Sequence, residues 1–101
     1  MGARLRVLRI TTQNEPERAL LRLEGRLSGV WVPEVEASWR SVQRDHPASA
    51  IWIDLCEVDV VDTAGRYLLA LMHDAGTHLV ARGCAMSELV REITGAWPAR
   101  A

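Results

Sequence analysis

Hydrophobic and polar residues alternate in short blocks along this chain, and the period changes from block to block. From Arg4 to Gln13 the pattern predicts a strand whose alternation slips between Val7 and Leu8, both apolar, as at a β-bulge. Asn14-Glu15-Pro16-Glu17 supplies turn chemistry, and beyond it Leu21, Leu23, Gly25 and Leu27 alternate with Arg22, Glu24 and Arg26. That is a half-exposed strand, and with its predecessor it predicts a hairpin. Val35, Trp39 and Val42 then recur at spacings of four and three, the stripe of an amphipathic helix. Pro33 suits its first turn, Glu34 and Glu36 its positive end, and His46-Pro47 its close.

Ala50 to Leu55, AIWIDL, is nearly all apolar, as expected of a central strand covered on both faces. After Gly65 a second helix carries Leu68, Leu69, Met72 and Ala75 on its apolar side, with Gly76 as its C-cap. His78 to Gly83 reads as a short strand. Ser87 is a natural N-cap for a final helix bearing Met86, Leu89, Val90 and Ile93, and Gly95 is its natural stop. The order β-β-α-β-α-β-α contains two strand-helix-strand units, whose strands should lie parallel through right-handed crossovers. The expected fold is α/β: one mixed four-stranded sheet with helices packed against it.

Composition narrows the function. At 101 residues the chain fits one domain, with a core from about residue 4 to 95 and a short tail over 96–101. Hydrophobic residues at 49% and charged residues at 25% are ordinary for a folded chain. The net charge is -1 and the basic residues are dispersed among acidic ones, so nucleic acid is not expected as a partner. All twelve basic residues are Arg, which removes lysine Schiff bases and the phosphate-loop lysine. No apolar run has signal-peptide or membrane-span length, so a cytoplasmic location without membrane insertion is expected. Cys56 and Cys84 form no Cys-x-x-Cys pair and read as buried, inert thiols.

One polar insertion stands out. Asp62-Thr63-Ala64-Gly65 lies between the extension of the central strand and the second helix, where an α/β sheet presents its carboxyl ends and a helix its amino end. Capping by Asp62 or Thr63, with Gly65 allowing close packing, explains the residues structurally; a binding site explains them functionally. Both readings stand at this point.

Four segments carry a family resemblance: Leu23-Glu24-Gly25-Arg26-Leu27, Ile51-Trp52-Ile53-Asp54-Leu55, Val61-Asp62-Thr63-Ala64-Gly65 and Leu79-Val80-Ala81-Arg82-Gly83. In that order and spacing, over about Leu5 to Gly95, the chain resembles the STAS domain family of anti-sigma-factor antagonists and related transporter domains. In phosphorylation-controlled members the turn reads Asp-Ser-Ser-Gly or similar, and a partner kinase that is itself the anti-sigma factor phosphorylates the third position. Here that position is Ala64, which has no hydroxyl, and Thr63 is the candidate phosphoacceptor beside it. Thr in second place with a small non-hydroxyl residue in third is similar to the STAS subunit of the Mla-type lipid ABC transporter, which binds the ATPase subunit. Ser28 stands where many members carry Asp after Gly-x-Leu.

Other constellations add no chemistry. His73 and His78 are five apart and His46 is distant, which fits no zinc motif, and no Ser lies in a Gly-x-Ser-x-Gly elbow. Asp54, Glu57, Asp59 and Asp62 read as loop carboxylates rather than a cation site, because strand alternation sends neighbours to opposite faces. Trp39 and Trp52 read as core; Trp31, in the loop before the first helix, and Trp97, in the tail, are candidate partner anchors. The resemblance thus implies a non-enzymatic protein interaction module with no catalytic residue, metal or cofactor. Its partner is an anti-sigma factor or kinase-like protein, or an ABC-transporter ATPase. The expected contact residues are Ser28, Trp31, Asp62, Thr63, Ala64, Gly65 and Arg66.

Overall fold

The first turn closes with the Glu15 N–H donating to the Arg18 carbonyl oxygen at 2.8 Å, and Arg18 Nε donating to the Glu15 carboxylate at 2.9 Å. It joins β1 (Arg9–Asn14) to β2 (Arg18–Leu27) as an antiparallel pair, with Ile10 opposite Leu23 and Asn14 opposite Ala19. In this computed structural model, which describes residues 8 to 96, the chain continues as α1 (Trp31–Asp45), β3 (Ala50–Val61), α2 (Thr63–Asp74), β4 (His78–Val80) and α3 (Cys84–Ala96). The sheet order is β1-β2-β3-β4, with β2, β3 and β4 mutually parallel through α1 and α2. This is the mixed four-stranded sheet with helices, in the order the hydrophobic pattern predicts.

Among the described residues, the sheet is covered on one face only. Leu21, Leu23 and Leu27 of β2 and Ile51, Ile53 and Leu55 of β3 are buried with Val32, Val35, Trp39 and Val42 of α1, Leu68, Leu69 and Met72 of α2, and Ile93 of α3. Trp52, Asp54 and Cys56 alternate with the buried β3 positions and are half-exposed, so the expectation of a strand covered on both faces is corrected. Trp52 is accordingly not core. Its indole stacks on His78, ring centroids 4.5 Å apart, with the Arg18 guanidinium 5.6 Å from the Trp52 ring. Cys56 is half-exposed rather than buried, and its thiol is pushed above its usual value by the Asp54 side chain and then by desolvation, which keeps it protonated at neutral pH.

Boundaries depart from the sequence pattern where backbone geometry intervenes. β3 runs on past Leu55 to Val61 because its register with β2 shifts twice, between Arg22 and Glu24 and between Gly25 and Arg26. The first shift changes the parity, so that Leu55 and Val58 both face the core. The bulge expected at Val7 and Leu8 involves a residue outside those described, as do Trp97 and residues 4 to 7 of the first strand. β4 stops at Val80, and Gly83, at φ +88°, redirects the chain into α3. Its carbonyl accepts from the Ser87 N–H at 3.0 Å, so α3 starts three residues before Ser87, which is no N-cap, and Gly95 lies within the helix. Trp31 is the first residue of α1, not a loop residue, and packs half-buried against the core.

One buried polar contact ties the helical layer together. Trp39 Nε1 donates to Thr77 Oγ1 at 2.9 Å, and both residues are buried, linking α1 to the connection between α2 and β4. Without the hydroxyl, the indole N–H would lie buried and unsatisfied, a cost of about 1–3 kcal/mol. Thr77→Val should therefore lower unfolding stability by about that amount in urea titration, and the double variant with Trp39→Phe should recover part of the loss.

Candidate functional site

Asp62 is the residue from which this site is built. It sits in extended backbone (φ -88°, ψ -176°) immediately before α2, the conformation an N-cap requires. One carboxylate oxygen, Oδ1, accepts from the Gly65 N–H at 2.8 Å and caps the helix. The other, Oδ2, accepts from the Gly29 N–H at 2.9 Å, thirty-three residues away in the chain. The Asp62 N–H donates to the Leu27 carbonyl oxygen at 3.2 Å, so the residue also extends the pairing of β3 with the end of β2. Its two backbone donors, Gly29 and then Gly65, hold the carboxyl below its ordinary value of 3.8.

The glycines on either side are required for different reasons. Gly29, at φ +57°, turns the chain out of β2, and the Trp31 and Val32 N–H groups donate back to the Ser28 and Gly29 carbonyls at 3.1 and 3.2 Å. Gly65 is required for space: a Cβ there would lie 2.6 Å from the Leu27 carbonyl oxygen and 2.9 Å from Val61 Cγ1. The two segments thus meet as two arms, 28–32 and 62–66, joined by one carboxylate.

The structure brings most of the expected contact residues together and gives them different roles. Thr63 and Ala64 are exposed in the first turn of α2, and the cap belongs to Asp62 rather than Thr63. Gly65 is buried and Ser28 half-buried, both shaping the arms. Trp31 anchors the start of α1 against the core. Arg66 donates to Glu92 at 2.7 Å, an ion pair that ties α2 to α3 beside the turn. Among the described residues no three His, Cys, Asp or Glu side chains converge as metal ligands, and no helix is long and apolar enough to cross a membrane.

Three residues that the sequence pattern left unremarked complete the surface. Val30 is 77% exposed in the first arm, while Tyr67 at 70% and Leu71 at 43% follow Thr63 at four-residue intervals along α2. They are the exposed large hydrophobic side chains among the described residues. The signal was available: with Leu68, Leu69 and Met72 facing inward, Tyr67 and Leu71 must lie toward the helix's outer side.

Neither a protein-family model nor a curated protein matches the chain. Its fold is nonetheless that of solved proteins. The crystal structure of an anti-sigma factor antagonist from Mycobacterium paratuberculosis superposes with a TM-score of 0.75 at 22% identity, covering 92% of this chain and 82% of that one. An uncharacterized protein of the DUF3478 family with a SpoIIAA-like fold, from Shewanella loihica PV-4, aligns with a TM-score of 0.48 at 15% identity over 96% of this chain and 84% of the other. The superposition on the anti-sigma factor antagonist, at a TM-score of 0.75, shows the fold that the STAS resemblance implies.

Two substitutions test this geometry. Gly65→Ala should destabilise the fold by about 1–3 kcal/mol, because backbone rather than a flexible side chain stands where the methyl must go. Asp62→Asn keeps one acceptor and loses the other, lowering Tm at neutral pH. A depressed carboxyl contributes stability that is present above its unfolded value and lost as pH falls through its folded value. The Tm gap between wild type and Asp62→Asn should thus be full at pH 7 and shrink below about pH 4; a gap that is constant down to pH 2 contradicts the double-acceptor role.

Proposed function

We propose that this chain is a STAS-type, non-enzymatic regulatory module that docks on an anti-sigma-factor-like protein through the two arms joined by Asp62. The observation that carries this reading is the coincidence of the exposed apolar side chains with the turn: Val30 on one arm, Tyr67 and Leu71 below Thr63 on the other. Exposed apolar and aromatic groups around a rigid polar centre are what a protein interface uses, with the aromatic as anchor. The arms are held in place before binding, so little ordering entropy opposes docking. The fold shared with an anti-sigma factor antagonist supports the same reading.

The switch itself is altered. Ala64 offers no acceptor for phosphate, and Thr63 presents the turn's hydroxyl on the exposed first residue of α2. A phosphate on Thr63 would add about -1.5 to -2 charges next to the Asp62 carboxylate and in the centre of the apolar surface, opposing a docked partner by desolvation and repulsion. A second reading rests on the Thr63-Ala64 pair: the same surface serves as a constitutive docking face for an ABC-transporter ATPase, with Thr63 as a fixed contact. In either case the chain works inside the cell on a protein, not on nucleic acid.

Thr63→Glu separates docking from folding, because a carboxylate in the first turn of a helix favours the helix. Affinity capture from the source cell should recover one dominant partner. Titration with that partner should show Thr63→Glu weakened at least tenfold, about 1.4 kcal/mol, with Tm unchanged or raised. Equal affinity of Thr63→Glu and wild type removes this surface from the proposal, and the identity of the recovered protein, signalling kinase or transporter ATPase, decides between the two readings.

A further inference from the structure

A second surface lies at the edge of the sheet. β1 is the terminal strand, paired with β2 along one side, and among the described residues no strand pairs its other side. All of its residues except Ile10 are exposed. In an antiparallel pair alternate residues turn their N–H and C=O groups outward, so this edge is a row of available donors and acceptors. β1 contains neither Pro nor a register shift that would blunt it.

Beside that edge runs a groove of about 340 Å³, lined by Thr12 and Asn14 of β1 and by Glu34, Ser38, Ser41 and Asp45 of α1, with Val42 at its floor. Thr12 and Asn14 lie opposite Leu21 and Ala19, on the face of the sheet that the helices cover. The α1 residues recur at positions 34, 38, 41 and 45, one stripe of the helix turned toward β1. An edge strand with a helix alongside is the arrangement that receives a peptide by strand addition, the backbone pairing with the edge and alternate side chains entering the groove.

The groove's charge selects the occupant. Glu34 and Asp45 are both exposed, and among the described residues neither has an ion-pair partner, whereas Glu36 on the neighbouring stripe is held by Arg40 at 2.9 Å. The remaining groove-lining side chains are hydroxyls, an amide and small apolar groups. Glu34 and Asp45 are eleven positions apart on α1, about 16 Å along its axis. Two side chains on one face of an extended peptide, four residues apart, span about 14 Å. We propose that β1 and α1 form a second docking site, for an extended protein segment that adds to the β1 edge and places two basic side chains, four residues apart, at Glu34 and Asp45. A second copy of the chain fits less well: an antiparallel β1 pair would bring Ile10, Thr12 and Asn14 of the neighbour to this face, none of them basic, and would set two acidic α1 stripes side by side.

The probe is the synthetic peptide Thr-Arg-Thr-Val-Thr-Arg-Thr, which as a strand places Arg, Val and Arg on one face. It is followed by fluorescence anisotropy and by amide chemical shifts of the full chain. The proposal expects saturable binding, shifts concentrated at Arg9 to Asn14 and along Glu34 to Asp45, and at least tenfold weaker binding after Glu34→Gln with Asp45→Asn. Glu34 lies in the first turn of α1 and Asp45 at its last residue, so neutralising both changes the helix-dipole interaction in opposite directions and the double variant should stay close to the wild-type Tm. It also expects no binding of the peptide with Glu in place of both Arg. Binding that survives the double variant, shifts confined to residues 62 to 71, no binding at all, or a concentration-dependent dimer through β1 in sedimentation would each overturn it.

Discussion

The Asp62 carboxylate is the contact on which the rest of this architecture depends. Its two oxygens accept from Gly65 at 2.8 Å and from Gly29 at 2.9 Å, fixing the start of α2 to the loop that opens α1. An ionised carboxylate is acceptor-only, and therefore serves two N–H donors at once; an amide has one oxygen and a hydroxyl is shorter. Each donor is an otherwise unpaired backbone amide, one at a helix start and one in a tight turn. Binding both to one side chain satisfies them and sets the distance between the arms.

The sheet delivers Asp62 to that position. Two register shifts between β2 and β3 let β3 run to Val61, level with Leu27, whose carbonyl then meets the Asp62 N–H. Gly65 lets α2 settle on that same carbonyl, where any side chain would collide. The buried bond between Trp39 and Thr77 fixes α1 a second time, against the far end of α2. Held at both places, α1 presents Val30 beside the turn on one side and its acidic stripe beside β1 on the other. The apolar surface and the polar groove are therefore consequences of the same packing.

Much of the candidate site was legible because its chemistry is local. Asp62 as a cap and Gly65 as a close-packing residue follow from a short polar stretch placed between two apolar runs. Arg66 stands on the expected helix and Trp31 opens α1 instead of lying in the loop before it; they turn to Glu92 and to the core, because the approach of α3 and the path of the chain after Gly29 decide their partners. Tyr67 and Leu71 were hidden for a related reason. In an apolar run such as Tyr67 to Met72 the helical spacing of Leu68, Leu69 and Met72 leaves Tyr67 and Leu71 on the outer side, but only the assembled fold shows that nothing among the described residues covers them.

Element order, the hairpin, the stripe of α1 and the polar turn were determined by the sequence itself, since each rests on periodicity or on a backbone preference acting within a few residues. The open face of the sheet was not. AIWIDL reads as a strand buried on both sides, and the stacking of Trp52 on His78 at that open face arises only once β4 pairs beside β3. The contact between Asp62 and Gly29 likewise spans thirty-three residues that no local rule connects. Tertiary structure decided these features because they depend on which distant segments arrive at the same place, and that is fixed by burying one shared core.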